Sequence, residues 1–205
     1  MNVWRERLGR WFTPLARRVP LSPNAISVIA CLFNIAAAAS FAAGAREPRW
    51  FLIAIALIVI GGFADAFDGI VARAQGKTSR YGDFLDHFLD RVSDTLLLAG
   101  WLFGNDIREP LLVAAVIVVS LNGYIGTQVE ATFGAREYET MGRGEFVLGL
   151  IVYPTVSYIL ATNGWSAFGW YTLTIAEWMT LLLIVMALLG IAQRFVRAAK
   201  LETRR

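Results

Sequence analysis

The sequence predicts an all-α integral membrane protein, with six transmembrane helices preceded by an N-terminal interfacial amphipathic helix. Three observations carry that prediction. The chain of 205 residues is 57% hydrophobic with a mean hydropathy of +0.54, well outside the range of soluble domains. It contains six apolar runs, each near the ~20 residues that cross a bilayer. Of its 19 lysines and arginines, all but Arg46, Arg49 and Arg108 fall on one side of such an alternating chain. That imbalance places both termini, and the loops between spans two and three and between spans four and five, in the cytoplasm.

Residues 1–20 form the expected interfacial helix. Trp4, Leu8, Trp11, Phe12 and Leu15 share one helical face, with Arg5, Arg7, Arg10, Arg17 and Arg18 elsewhere, so apolar side chains enter the headgroup boundary while guanidinium groups meet phosphates and water. The stretch lacks the continuous apolar core of a signal peptide and is expected in the mature chain. Pro20 and the segment Leu21-Ser22-Pro23-Asn24 break the helix, and Ser22 or Asn24 can cap the next one. Residues 21–205 form the membrane domain, with spans expected at 25–45, 50–72, 82–104, 109–129, 146–163 and 169–193. The single cysteine, Cys31, lies in an apolar run, so no intramolecular disulfide forms. Despite a net charge of +3, the basic residues cluster at helix ends, which points to membrane lipids and away from nucleic acid as partners.

Spans two and three carry acid where lipid is expected. Asp65 and Asp68 share one face of span two with Ala72, and Gly82, Asp86, Asp90 and Asp94 follow a four-residue stripe on span three. Ionisable groups in a membrane segment cost several kcal/mol each unless paired, and like charges this close do not all stay ionised unaided. Two divalent cations offset four carboxylates, and all-oxygen ligation suits Mg²⁺ or Mn²⁺. One histidine and one cysteine disfavour zinc. Asp65 lies fifteen residues beyond Trp50, hence ~22 Å along its helix and near the cytoplasmic boundary. Gly61, Gly62, Ala64, Gly69 and Ala72 let backbones approach closely and leave room for a ligand. His87, four residues from Asp83, and Asp94, three from Arg91, are expected to be structural.

Carboxylate-held metals beside Arg73 and a glycine suggest phosphate chemistry. The spacing Asp65-x2-Asp68-Gly69-x2-Ala72-Arg73-x8-Gly82-x3-Asp86-x3-Asp90 resembles, without a departure, the signature of the CDP-alcohol phosphotransferase family. The resemblance extends to the Pro23-Asn24 entry of span one and to the N-terminal helix. It implies a transferase of phospholipid synthesis that takes a phosphatidyl or similar group from a CDP-linked lipid donor, joins it to an acceptor hydroxyl and releases CMP. It further implies that Asp65, Asp68, Asp86 and Asp90 hold two metal ions, that Asp90 is the general base, and that Asp68, Gly69, Ala72, Arg73 and Ser79 contact the CDP moiety. A homodimer in the plasma membrane, with its active site facing the cytoplasm, is also implied.

The acceptor is read from cationic residues. Arg136 and Arg143, with Lys77, Arg80 and Arg194, can form a pocket for a phosphorylated acceptor such as inositol phosphate or glycerol phosphate. The segments Leu85 to Arg91 and Gly142-Arg143-Gly144-Glu145 resemble family members that use inositol phosphate more than those that use choline or ethanolamine. The alternative is a membrane divalent-cation transporter using the same aspartates, whose acids belong nearer the midplane with a path to both faces. A membrane prenyltransferase has differently spaced acids and releases pyrophosphate.

Overall fold

The structure, a computed structural model, describes residues 12–134 and 143–203, with side chains of the second stretch described from Leu148 onward. Among the described residues six long helices follow one another: α1 (Pro23–Ala43), α2 (Arg49–Ala74), α3 (Arg80–Gly104), α4 (Glu109–Phe133), α5 (Arg143–Thr162) and α6 (Ile175–Glu202). By length and composition α1, α2, α4 and α6 are able to cross a membrane. The described apolar part of α5, Leu148–Thr162, is shorter, and α3 carries four acids up to Asp94 and is apolar only beyond it. The protein is therefore a multi-pass helical membrane protein. Leu32, Val59, Ile117, Leu182 and Leu189 point outward, as side chains facing lipid do.

Local chemistry sets the helix starts. Ser22 caps α1 by accepting from the Ala25 amide at 3.2 Å, with Pro23 at the first helical position. Ser79 caps α3 by accepting from the Gly82 amide at 3.0 Å. The last helix differs from expectation. Residues 169–174, read as the start of span six, form a two-stranded antiparallel hairpin, β1 (Gly169–Trp170) with β2 (Leu173–Thr174). Helix α6 starts only at Ile175, because Thr174 and Glu177 make a capping box: the Glu177 amide donates to Thr174 Oγ1 at 3.2 Å and the Thr174 amide to Glu177 Oε2 at 2.8 Å.

Helix α1 packs mainly on α2 and α3, while α4 packs mainly on α6 and more lightly on α3. Phe41, Phe51, Leu98, Trp101 and Leu102 form the heart of the core. Close approach of α3 to α1 depends on Gly100 and Gly104, where a Cβ would overlap the carbonyls of Ala38 and Phe41. The buried indole of Trp101 donates to Ser157 Oγ at 3.1 Å, joining α3 to α5. Near the N-terminus a helical stretch over 12–16 rests on α2. Phe12 meets Phe63 and Phe67 with ring centroids 5.7 and 6.3 Å away, and Ala16 is fully buried with Ile26 and Val71. Leu15, expected on the same apolar face, is 56% exposed. Trp4, Leu8 and Trp11 lie outside the described residues.

Candidate active site

The acids converge at the end of the bundle where α2 finishes and α3 begins. Asp65 and Asp68 lie one turn apart on α2, and Asp86 comes from the first half of α3. Each offers a carboxylate oxygen, and the three atoms lie within 4.8 Å of one another. Three hard oxygen donors from two helices suit a divalent cation of the Mg²⁺ or Mn²⁺ type. Asp68 is buried and receives a hydrogen bond of 2.5 Å from Ser27 Oγ on α1. That bond fixes the orientation of one carboxylate oxygen, as outer partners of metal ligands do. Asp90, one turn beyond Asp86, is buried and stands outside the three-acid group.

The neighbouring signature residues line the same end. The spacing between Gly69 and Arg73 puts the guanidinium over the glycine, where a Cβ would sit 3.3 Å from Arg73 Nη1. Arg73 is exposed and Ala72 half-buried. Ser79 is used as the cap of α3, and a Cβ on Gly82 would lie 3.2 Å from its hydroxyl and 3.3 Å from Asn24 Oδ1. The small residues divide in role. Gly61 meets α1, where a Cβ would stand 2.8 Å from Asn34 Oδ1, whereas nothing lies within 4 Å of the corresponding point on Gly62.

The cationic residues are more dispersed. Lys77 and Arg80 are exposed in the turn before α3 and at its start. Arg194, on the last turns of α6, donates through Nη1 to the backbone and side-chain oxygens of Asn122 on α4. Arg136 lies outside the described residues, and Arg143 opens α5 with its side chain outside them. His87 stands 3.9 Å from Asp83, and Arg91 Nη2 pairs with Asp94 Oδ2 at 3.0 Å, so both stripe neighbours have the local partners expected of structural residues. Sequence reasoning missed Ser27 and Asn122. Each is a lone polar side chain in an apolar run, a signal that marks a buried hydrogen bond without naming its partner.

Comparison with known proteins narrows the chemistry. The CDP-alcohol phosphatidyltransferase family matches residues 20–190. An archaetidylinositol phosphate synthase of Pyrococcus horikoshii is 28% identical over 176 residues, 85% of this chain and 85% of that protein. A phosphatidylinositol phosphate synthase of Mycobacterium marinum is 30% identical over 205 residues, covering 93% and 80% of the two chains. The phosphatidylinositol phosphate synthase of Mycobacterium tuberculosis, in a crystal structure with CDP-DAG bound, superposes with a TM-score of 0.70 at 25% identity over 92% of this chain and 94% of that one. The same enzyme in complex with manganese and citrate gives 0.69, again at 25% identity, over 91% and 88%. None of these similarities supports a cation transporter. This chain belongs to the CDP-alcohol phosphatidyltransferase family.

Proposed function

We propose that the protein transfers a phosphatidyl group from CDP-diacylglycerol, or a CDP-linked lipid like it, to inositol phosphate, releasing CMP. The convergence of Asp65, Asp68 and Asp86 within a fold shared with a CDP-DAG-binding enzyme carries this reading. Inositol phosphate is preferred over glycerol phosphate because the relatives from archaea and from bacteria differ in the lipid part of their names and agree in the inositol phosphate part. All six helices cross the membrane on this reading, residues 1–20 lie along its surface, and residues 21–205 make the catalytic domain. The acids and both termini face the cytoplasm, and the enzyme is a homodimer.

Asp65, Asp68, Asp86 and Asp90 hold two Mg²⁺ or Mn²⁺ ions, and these supply Lewis-acid charge to the pyrophosphate when bound. Gly69 lets the donor approach the backbone of α2, Arg73 presents a fork of donors to a phosphate, and Ala72 and Ser79 complete the CDP contacts. Asp90 accepts the proton of an inositol hydroxyl. The freed oxygen attacks the phosphorus that carries the diacylglycerol, and the bond from that phosphorus to the oxygen of CMP breaks. Lys77, Arg80, Arg136, Arg143 and Arg194 offset the charge of the acceptor phosphate.

The test is a mass-spectrometric assay of purified protein with CDP-diacylglycerol or its ether-linked archaeal counterpart, and with inositol phosphate, glycerol phosphate, serine and inositol as acceptors. The expected product is a lipid bearing inositol phosphate together with one CMP. Product from free inositol or serine at a higher rate refutes the acceptor assignment. Absence of CMP in every combination refutes the transferase reading.

A further inference from the structure

Helix α4 contributes no residue to the acidic group, yet three of its residues meet arginines. A Cβ on Gly123 would overlap Arg91 Nη1 from α3, and a Cβ on Gly126 would sit 3.2 Å from Arg194 Cζ and 3.3 Å from its Nε. Asn122, buried beside Gly123, accepts from Arg194 Nη1 with both its backbone and side-chain oxygens. Gly123 and Gly126 are about one turn apart on the same helix face. Two guanidinium groups, one from the residue that follows Asp90 and one from α6, are thus seated on one short stretch of α4.

The two glycine contacts differ in kind from those of Gly100 and Gly104. At those positions an added methyl meets backbone carbonyls of α1, which cannot yield without separating the helices. At Gly123 and Gly126 it meets the ends of long side chains, which can move aside while the helices stay packed. Glycine on this face of α4 therefore decides where two cations stand. Arg91 also links that face of α4 to the acid stripe on α3. Asp94 pairs with Arg91 at 3.0 Å, and Asn122 offers Arg194 a backbone and a side-chain oxygen.

We infer that Asn122, Gly123 and Gly126 are positioning residues, a seat on α4 that sets the guanidinium of Arg194, and Arg91 beside it, for the phosphate of the acceptor. The inference rests on the reading of Arg194 as an acceptor contact. Alternative side chains at position 126 tune acceptor affinity without touching the donor site.

A double-mutant cycle tests this in purified protein, with CMP release measured as a function of inositol phosphate and, separately, of CDP-diacylglycerol. Gly126→Ala and Asn122→Ala are each expected to raise the acceptor KM about tenfold, the factor that accompanies loss of one well-placed charged contact, with the donor KM within about twofold. Gly149→Ala, whose added methyl meets nothing within 4 Å, controls for inserting alanine into a membrane helix and should leave both constants unchanged. Arg194→Ala should raise the acceptor KM at least as much as Gly126→Ala, and Gly126→Ala added to Arg194→Ala should have no further effect. An equal further rise in that background, or equal rises in both KM values, overturns the seat while the transferase reading stands. Native turnover with an Arg194→Ala acceptor KM equal to the native one also overturns it. Native protein that releases no CMP defeats the transferase reading and this inference together.

Discussion

The two ends of the helix bundle treat charge in opposite ways. At the end formed by the turns before α2, α4 and α6, two acids, Glu47 and Glu177, are each paired with an arginine. Arg108 Nε and Nη2 grip the buried carboxylate of Glu177 at 2.5 and 2.9 Å, and Nη2 also reaches the Thr172 carbonyl at 2.7 Å. Arg49 pairs with Glu47 at 3.0 Å, and its hydrogen bond holds the Glu47 carboxyl below the usual carboxylate range. At the other end, three carboxylates from two helices face one another. The comparison separates a structural use of charge, in which opposite signs are neutralised within the fold, from a functional one, in which like signs are gathered to hold a cation. It also accounts for two of the three basic residues that break the positive-inside pattern: Arg49 and Arg108 each have an acid on their own side of the bundle.

The largest expected difference between the ends is the response to chelation. EDTA should reduce CMP release to background, with Mg²⁺ or Mn²⁺ restoring it. Activity that survives chelation would remove the functional reading of the acidic end. Next in size is Asp90→Asn, which should lower turnover by about a hundredfold or more, while the thermal unfolding midpoint in detergent changes little because the amide keeps the size of the side chain and an accepting oxygen. Arg108→Ala should do the reverse. It removes the guanidinium from the Glu177 carboxylate and should lower the unfolding midpoint measurably, read by denaturation in mixed micelles, with turnover per folded molecule unchanged. A fall in midpoint for Asp90→Asn as large as that for Arg108→Ala would break the distinction. The smallest effect belongs to Ser27→Ala, which removes the hydrogen bond to Asp68. It should weaken metal activation by about threefold to tenfold, ~1 kcal/mol, measured as the Mn²⁺ concentration for half-maximal rate.

Much of the acidic end was legible in the sequence because it depends on local periodicity. Spacings of three and four put Asp65 beside Asp68, and Gly82 beside Asp86 and Asp90, on the faces of two helices whose connection is short. Periodicity does not say how those faces are rotated toward each other. The three-acid group therefore has Asp86 as its member from α3, with Asp90 a turn away and outside it. Ser27 and Asn122 were illegible for the same reason, since their partners lie on other helices 41 and 72 residues distant. The start of α6 was legible and was misplaced: Gly169-Trp170-Tyr171-Thr172-Leu173-Thr174 is apolar enough to pass for membrane helix. The Thr174-x2-Glu177 box marks the true start from sequence alone.

The amide of Gln75 has a consequence for how the chain is made. Its Nε2 donates to the carbonyls of Ala16 at 3.1 Å and Val19 at 2.9 Å, satisfying the open end of the N-terminal helical stretch across 59 and 56 residues of sequence. That stretch leaves the ribosome long before its cap exists. Until α2 has been inserted and Gln75 emerges behind it, those carbonyls have only water or headgroups to bind. The order of biogenesis is therefore written into one side chain: the helical stretch over 12–16 can be locked only after α2 has been made, and its docking requires α2 at its final depth.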